Sequence, residues 1–109
     1  MTCLEVAEMI ESIGIPYAYR AFEEGTGIAP PFICYFYSGN VPEPADNVNV
    51  VDIEELNIEL YTDHKNFALE KQIEDVLKAH DLAFNREEEW IESEKMQMTI
   101  YTMEVLINE

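Results

Sequence analysis

The chain has 109 residues, 48% of them hydrophobic, and sets 23 acidic against 6 basic side chains, a formal net charge of −17. That length supports one domain with one modest core, and no stretch approaches the ~20 apolar residues that a membrane helix needs. The charge excludes recognition of nucleic acid through its phosphates, which requires a positive footprint, and it excludes attraction to anionic lipid. Three readings of the acidity remain: a solvated, self-repelling surface, a basic protein partner, or a surface to which DNA does not adhere.

In chain order the first element is a helix. Thr2 and Glu5 have the spacing of a capping box, and Val6, Met9, Ile10 and Ile13 fall on one apolar face, with Gly14 and Pro16 as stop signals. Tyr17 to Phe22 reads as a short aromatic strand, and Glu23-Glu24-Gly25-Thr26-Gly27 as a flexible hairpin tip. Pro30-Pro31 leads into Phe32-Ile33-Cys34-Tyr35-Phe36-Tyr37, the most apolar run and the expected central strand. Phe36 is expected in the core there, so that truncating it to Ala costs ~3–5 kcal/mol. Val41 to Asn47, with two prolines, is a loop. Val48 to Tyr61 is strand; Leu56, Ile58 and Leu60 alternate with Asn57, Glu59 and Tyr61, predicting one buried and one wet face.

Thr62-Asp63 is expected to cap a second helix, whose apolar stripe is Leu69, Ile73, Val76 and Leu77. Glu70 and Glu74 make a like-charged pair one turn apart, so their face is expected to be solvated. Two strands follow, near Leu82–Ile91 and Met96–Ile107, joined by a hairpin at Glu92-Ser93-Glu94. The order is α-β-β-β-α-β-β. Strands in runs rather than in alternation with helices predict an α+β class: a mixed, mostly antiparallel sheet of about five strands with two helices, in a single domain spanning residues 1–109.

Chemistry-bearing motifs are sparse. Gly25-Thr26-Gly27 lacks the length and the following Lys of a phosphate loop. His64 and His80 stand at opposite ends of the expected helix, ~24 Å apart if it is continuous, too far to share a metal. Cys3 and Cys34 read as half-buried thiols, and Cys34, inside an apolar strand, lacks a neighbouring His or a helix N-terminus to make it a thiolate. Glu87-Glu88-Glu89 is the densest acidic run, but alternation along a strand turns Glu88 away from the other two, which suits a solvated face better than a catalytic carboxylate pair. The expectation is a protein that binds other proteins, with no enzymatic activity and no cofactor or metal. The N-terminus shows no basic region followed by an apolar run, so the chain is expected to stay in the cytoplasm of its producing cell.

Ala45-Asp46-Asn47, Ile58 to Lys65, Glu70 to Leu77 and Trp90 to Met96, with Pro30 to Tyr35 before them, resemble the small tail-terminator or tail-completion proteins of long-tailed prophages of Gram-positive bacteria, over about residues 15–107. The resemblance implies a ring, typically of six copies, that caps the tail tube and meets the head-tail connector. It places the protein in the virion tail, and in the host cytoplasm during assembly. Partners would be further copies of the chain, the tail tube protein and the connector protein. No catalytic residues come with it. Six copies would carry roughly −100, a charge that suits a channel passing DNA. Candidate channel or interface residues are Glu23, Glu24, Glu87, Glu89 and Trp90. Two alternatives stand beside this: a neck or minor capsid protein, and an acidic DNA mimic that occupies the basic site of a nucleic-acid-binding enzyme.

Overall fold

The computed structural model describes residues 1–23, 25–41 and 52–108. Helix α1 spans Cys3–Glu11, and its capping box is complete: the Glu5 amide donates to Thr2 Oγ1 at 3.1 Å and the Thr2 amide to Glu5 Oε1 at 2.8 Å. Val6, Met9, Ile10 and Ile13 are all buried, as their spacing predicts. The strands are β1 (Tyr17–Tyr19), β2 (Phe32–Val41), β3 (Asp52–Thr62), β4 (Phe84–Ile91) and β5 (Met96–Ile107), with helix α2 (Phe67–Ala79) between β3 and β4. The expected order α-β-β-β-α-β-β and the α+β class hold. The loop expected over Val41–Asn47 and the strand start at Val48 fall mainly on residues 42–51, which lie outside the described residues.

The strand order is β1-β2-β3-β5-β4, antiparallel except for the parallel pair β1·β2. This corrects the expected hairpin at residues 23–27. A strand that pairs parallel to its predecessor needs a crossover and not a tight turn, so the described residues 20–23 and 25–31 belong to a crossover that returns along the sheet. Strand β1 stops three residues early because Arg20 adopts φ 69, outside the strand region, while its amide still donates to the Tyr35 carbonyl at 2.7 Å.

The sheet has β3, not β2, at its centre. The long ladders to β2 and β5 flank it, and Leu56, Ile58 and Leu60 are fully buried. Both helices cover one sheet face, contributing Met9, Ile10, Ile73 and Leu77 to a core shared with Ile33, Ile58, Tyr101 and Val105. The two helices are tied by Gln72, whose Nε2 donates to the Ile13 carbonyl at 2.7 Å. Burying each such aliphatic side chain contributes roughly 1.5–3 kcal/mol.

Helix α2 is capped by Asn66, whose Oδ1 accepts from the Leu69 amide at 3.0 Å, and not by Thr62-Asp63. Thr62 is still paired in β3, opposite Gln97, so the chain needs several more residues before it can turn into a helix. His64 therefore precedes the helix and His80 is its C-cap, so no continuous helix spans the two. The β4–β5 hairpin turns at Glu92–Lys95 as expected, with Lys95 at φ 51 and ion-paired to Glu92. Among the described residues, no helix is long and apolar enough to cross a membrane.

Candidate interaction surfaces

Strand registers divide the side chains cleanly between two faces. Tyr35, Ile58, Tyr101 and Arg86 are aligned across four strands on the helix-covered side. One residue along, Phe36, Asn57, Thr102 and Asn85 are aligned on the other side, because strand side chains alternate.

On the helix side, the structure overturns the solvated face expected for Glu70 and Glu74. Glu70 is 3% exposed, with Oε1 accepting from Lys65 Nζ at 2.8 Å and Oε2 facing Thr99 Oγ1 at 3.4 Å. Lys65 also pairs with Glu88 of β4. Glu74 Oε2 accepts from the Tyr101 hydroxyl and from Arg86 Nη1, each at 2.9 Å. Burial, then the hydrogen bond to Glu74, pushes the Tyr101 phenol far above its ordinary range, and the same carboxylate raises Arg86. Two acids that repel one another in an isolated helix are each given a cation from outside it, Lys65 from the connection before α2 and Arg86 from β4. Helix periodicity alone could not reveal this, because Lys65, Arg86, Thr99 and Tyr101 lie on other elements. The signal was that Arg86 and Lys65 are two of only six bases in the chain.

Among the described residues, no helix lies over the opposite face. It presents Phe32, Cys34 and Phe36 of β2, Tyr61 of β3, and Met98 and Ile100 of β5, with Glu55 and Glu59, Glu87 and Glu89, and Glu104 around them. Phe32 stacks on Tyr61 with centroids 4.9 Å apart, and Phe22 of the crossover meets the edge of Phe32 at 5.4 Å. The Arg20 guanidinium lies over the Phe36 ring, 5.4 Å from its centroid. The wet face expected for β3 is partly wrong, since Asn57 is 6% exposed. Its amide donates to Ser38 Oγ at 2.9 Å and its carbonyl accepts from Thr102 Oγ1 at 3.0 Å, a polar bridge across three strands. A bulge between Tyr37 and Gly39 makes this possible, because Gly39 takes φ 153, open to glycine alone, and Ser38 is released from the ladder. Ser38 Oγ in turn donates to Glu55 Oε1 at 2.6 Å. Burial, then the Glu59 carboxylate, raises the Cys34 thiol and also the Tyr61 phenol, which donates to Glu59 at 2.9 Å. Cys34 is buried and Cys3 exposed, where both were expected to be half-buried.

The sequence candidates do not form one patch. Glu87 and Glu89 are exposed on edge strand β4, on the uncovered face, whereas Trp90 points to the helix side and donates from Nε1 to Glu92 Oε2 at 2.7 Å. Trp90 remains half-exposed at 48%. Lys95 and then Trp90 hold the Glu92 carboxyl below its ordinary range. Glu23 is exposed in the crossover that leaves β1, the opposite edge of the sheet from β4, and its carbonyl accepts from Thr26. Glu24 lies outside the described residues. Among the described residues, no group of three or more His, Cys, Asp or Glu side chains could hold a metal ion.

No protein-family profile matches the chain, and no curated protein sequence matches it. The fold does match a solved structure, a chain from the virion of a native gene transfer agent particle. The TM-score is 0.59 at 15% sequence identity, over 94% of this chain and 86% of that one. At that identity the likeness is one of fold, and it extends over nearly all of both chains.

Proposed function

We propose that the protein is a non-catalytic structural subunit of a phage-like virion. More narrowly, we read it as a tail-terminator or tail-completion protein whose copies form a ring between the tail tube and the head connector. The observation that carries the reading is the fold shared with a protein of a gene transfer agent virion over 94% of this chain. A sheet with one face left uncovered supports it, since such a face is what an assembly subunit uses to meet its neighbours. The charge of −17 supports it as well, because a lumen that passes DNA has to repel phosphate. A ring of this kind is a heterologous, closed assembly in which one patch meets a different patch on the next copy.

Electron microscopy of particles from producing cells with the gene deleted tests the narrower reading. A tail terminator stops tube growth, so the deletion yields tails of uncontrolled length that carry no heads. Particles with tails of normal length but unstable or empty heads would assign the protein to the neck or capsid instead. Complete particles indistinguishable from wild type would remove it from the virion.

A further inference from the structure

We propose that the uncovered sheet face is a docking surface for a cationic protein segment, one with apolar side chains at its centre and Lys or Arg at its margins. The inference goes beyond the virion reading and stands without it. Its basis is the combination of two properties on one surface. Phe32, Phe36, Met98 and Ile100 each remain partly exposed on a face that, among the described residues, no helix covers, an apolar strip that a partner can cover. Around it, Glu87, Glu89 and Glu104 are exposed and Glu55 and Glu59 partly so, while strands β2, β3, β4 and β5 place no Lys or Arg on this side. The nearest cation is Arg20, over the Phe36 ring.

Charge decides among the possible occupants. DNA, RNA and anionic lipid are repelled by the carboxylates. A second copy docked through the same face would set five carboxylates against five. Nor can a second copy supply a matching set of cations from elsewhere: of the chain's six bases, Lys65, Lys71, Arg86 and Lys95 are already ion-paired within the chain and Arg20 is stacked, which leaves Lys78 alone against five carboxylates. What remains is a different protein that brings its own positive charge. Complementary charge around an apolar centre steers encounter and fixes register, while the apolar strip supplies the lasting contact.

The test uses the full chain and a synthetic peptide with an Ile/Phe centre and Lys at both ends, its binding followed by fluorescence anisotropy. Two double variants carry the same change in net charge: Glu87→Lys with Glu89→Lys on the uncovered face, and Glu8→Lys with Glu11→Lys on exposed positions of α1. The first weakens binding about tenfold or more and the second about twofold or less. In the unmodified protein the peptide shifts the methyl resonances of Met98 and Ile100 and leaves those of Met9 and Ile10, on α1, in place. Equal weakening by both variants would mean attraction by net charge alone and would overturn the proposal. So would methyl shifts confined to α1, or a peptide with Glu in place of Lys that binds as tightly.

Discussion

The Tyr101 hydroxyl donates to Glu74 Oε2 at 2.9 Å, joining the fully buried centre of β5 to a carboxylate of α2 that Arg86 of β4 also holds. This contact sits where the helix layer meets the sheet, next to the Lys65–Glu70 pair. Together they fix how α2 lies across β5 and β4. A phenylalanine at 101 keeps the packing and removes the donor. Tyr101→Phe is expected to cost about 1.5–3 kcal/mol, the worth of a hydrogen bond to a charged acceptor, as read from urea denaturation.

The same phenol sets an alkaline limit. Its titration in the folded protein is raised well above the ordinary value of 10.0 by burial and by Glu74. The folded state thus keeps its proton where the unfolded chain loses it. The contribution is fully present below the ordinary tyrosine range and is lost as pH rises above it. Stability should fall with a steepening slope above about pH 10, and Tyr101→Phe should flatten part of that slope. An unchanged slope in the variant would show that other groups dominate the alkaline transition.

Lys65 and Glu70 form a partly buried pair, and removing one partner costs more than removing both. Glu70→Ala leaves Lys65 with Glu88 as its remaining carboxylate and exposes a cavity under α2, so a loss of about 2–3 kcal/mol is expected, below the range for fully buried pairs because Lys65 reaches solvent. Lys65→Met with Glu70→Leu removes both charges and should lie within about 1 kcal/mol of wild type. A double variant as unstable as the single one would show that the pair itself, not the uncompensated charge, holds α2 down.

Much of the fold was legible in the sequence, because its cues were local. Apolar spacing located α1 and α2, turn residues bounded β4 and β5, and runs of strands gave the α+β class. The failures share a physical cause, since each depended on a partner outside the element that was being read. Glu70 and Glu74 read as solvated because their cations lie on other elements. Asn57 read as wet because Ser38 and Thr102 satisfy it from neighbouring strands. Residues 23–27 read as a hairpin tip because nothing local distinguishes a hairpin from a parallel crossover. The candidate acids were found by density along the chain, which separates neither sheet faces nor sheet edges. The apolar face they border was hidden for the same reason, as β2 was read as wholly internal.

Phe36 illustrates the consequence for stability. It lies on the uncovered face, half-buried, with Arg20 over its ring. Phe36→Ala is therefore expected to cost about 1–2 kcal/mol, less than the ~3–5 kcal/mol of a large residue truncated in a core. Ile58→Ala, at a fully buried central position, should cost about 2–5 kcal/mol. Chemical denaturation of the two variants side by side gives the comparison, and equal costs would mean that the face is more tightly covered than the strand registers place it.

The two thiols should separate in reactivity. Cys3 is exposed, whereas Cys34 is buried between Phe32 and Phe36 on β2, and burial and Glu59 raise its titration. Thiolate is the reactive form, so a neutral-pH maleimide should modify Cys3 quickly and Cys34 only as the protein opens. Labelling followed by peptide mapping checks this. Fast modification of Cys34 in the native protein would show that β2 opens independently of the rest of the sheet.

The central claim is that this chain is built into a virion. Its most direct test is to count its copies by quantitative mass spectrometry in particles purified from producing cells by density gradient. A virion subunit is expected at a fixed, small number per particle, the same across preparations and through high-salt washing, and a multiple of the ring symmetry of the tail. Absence from purified particles, or an amount that varies between preparations and washes away with salt, would contradict that claim.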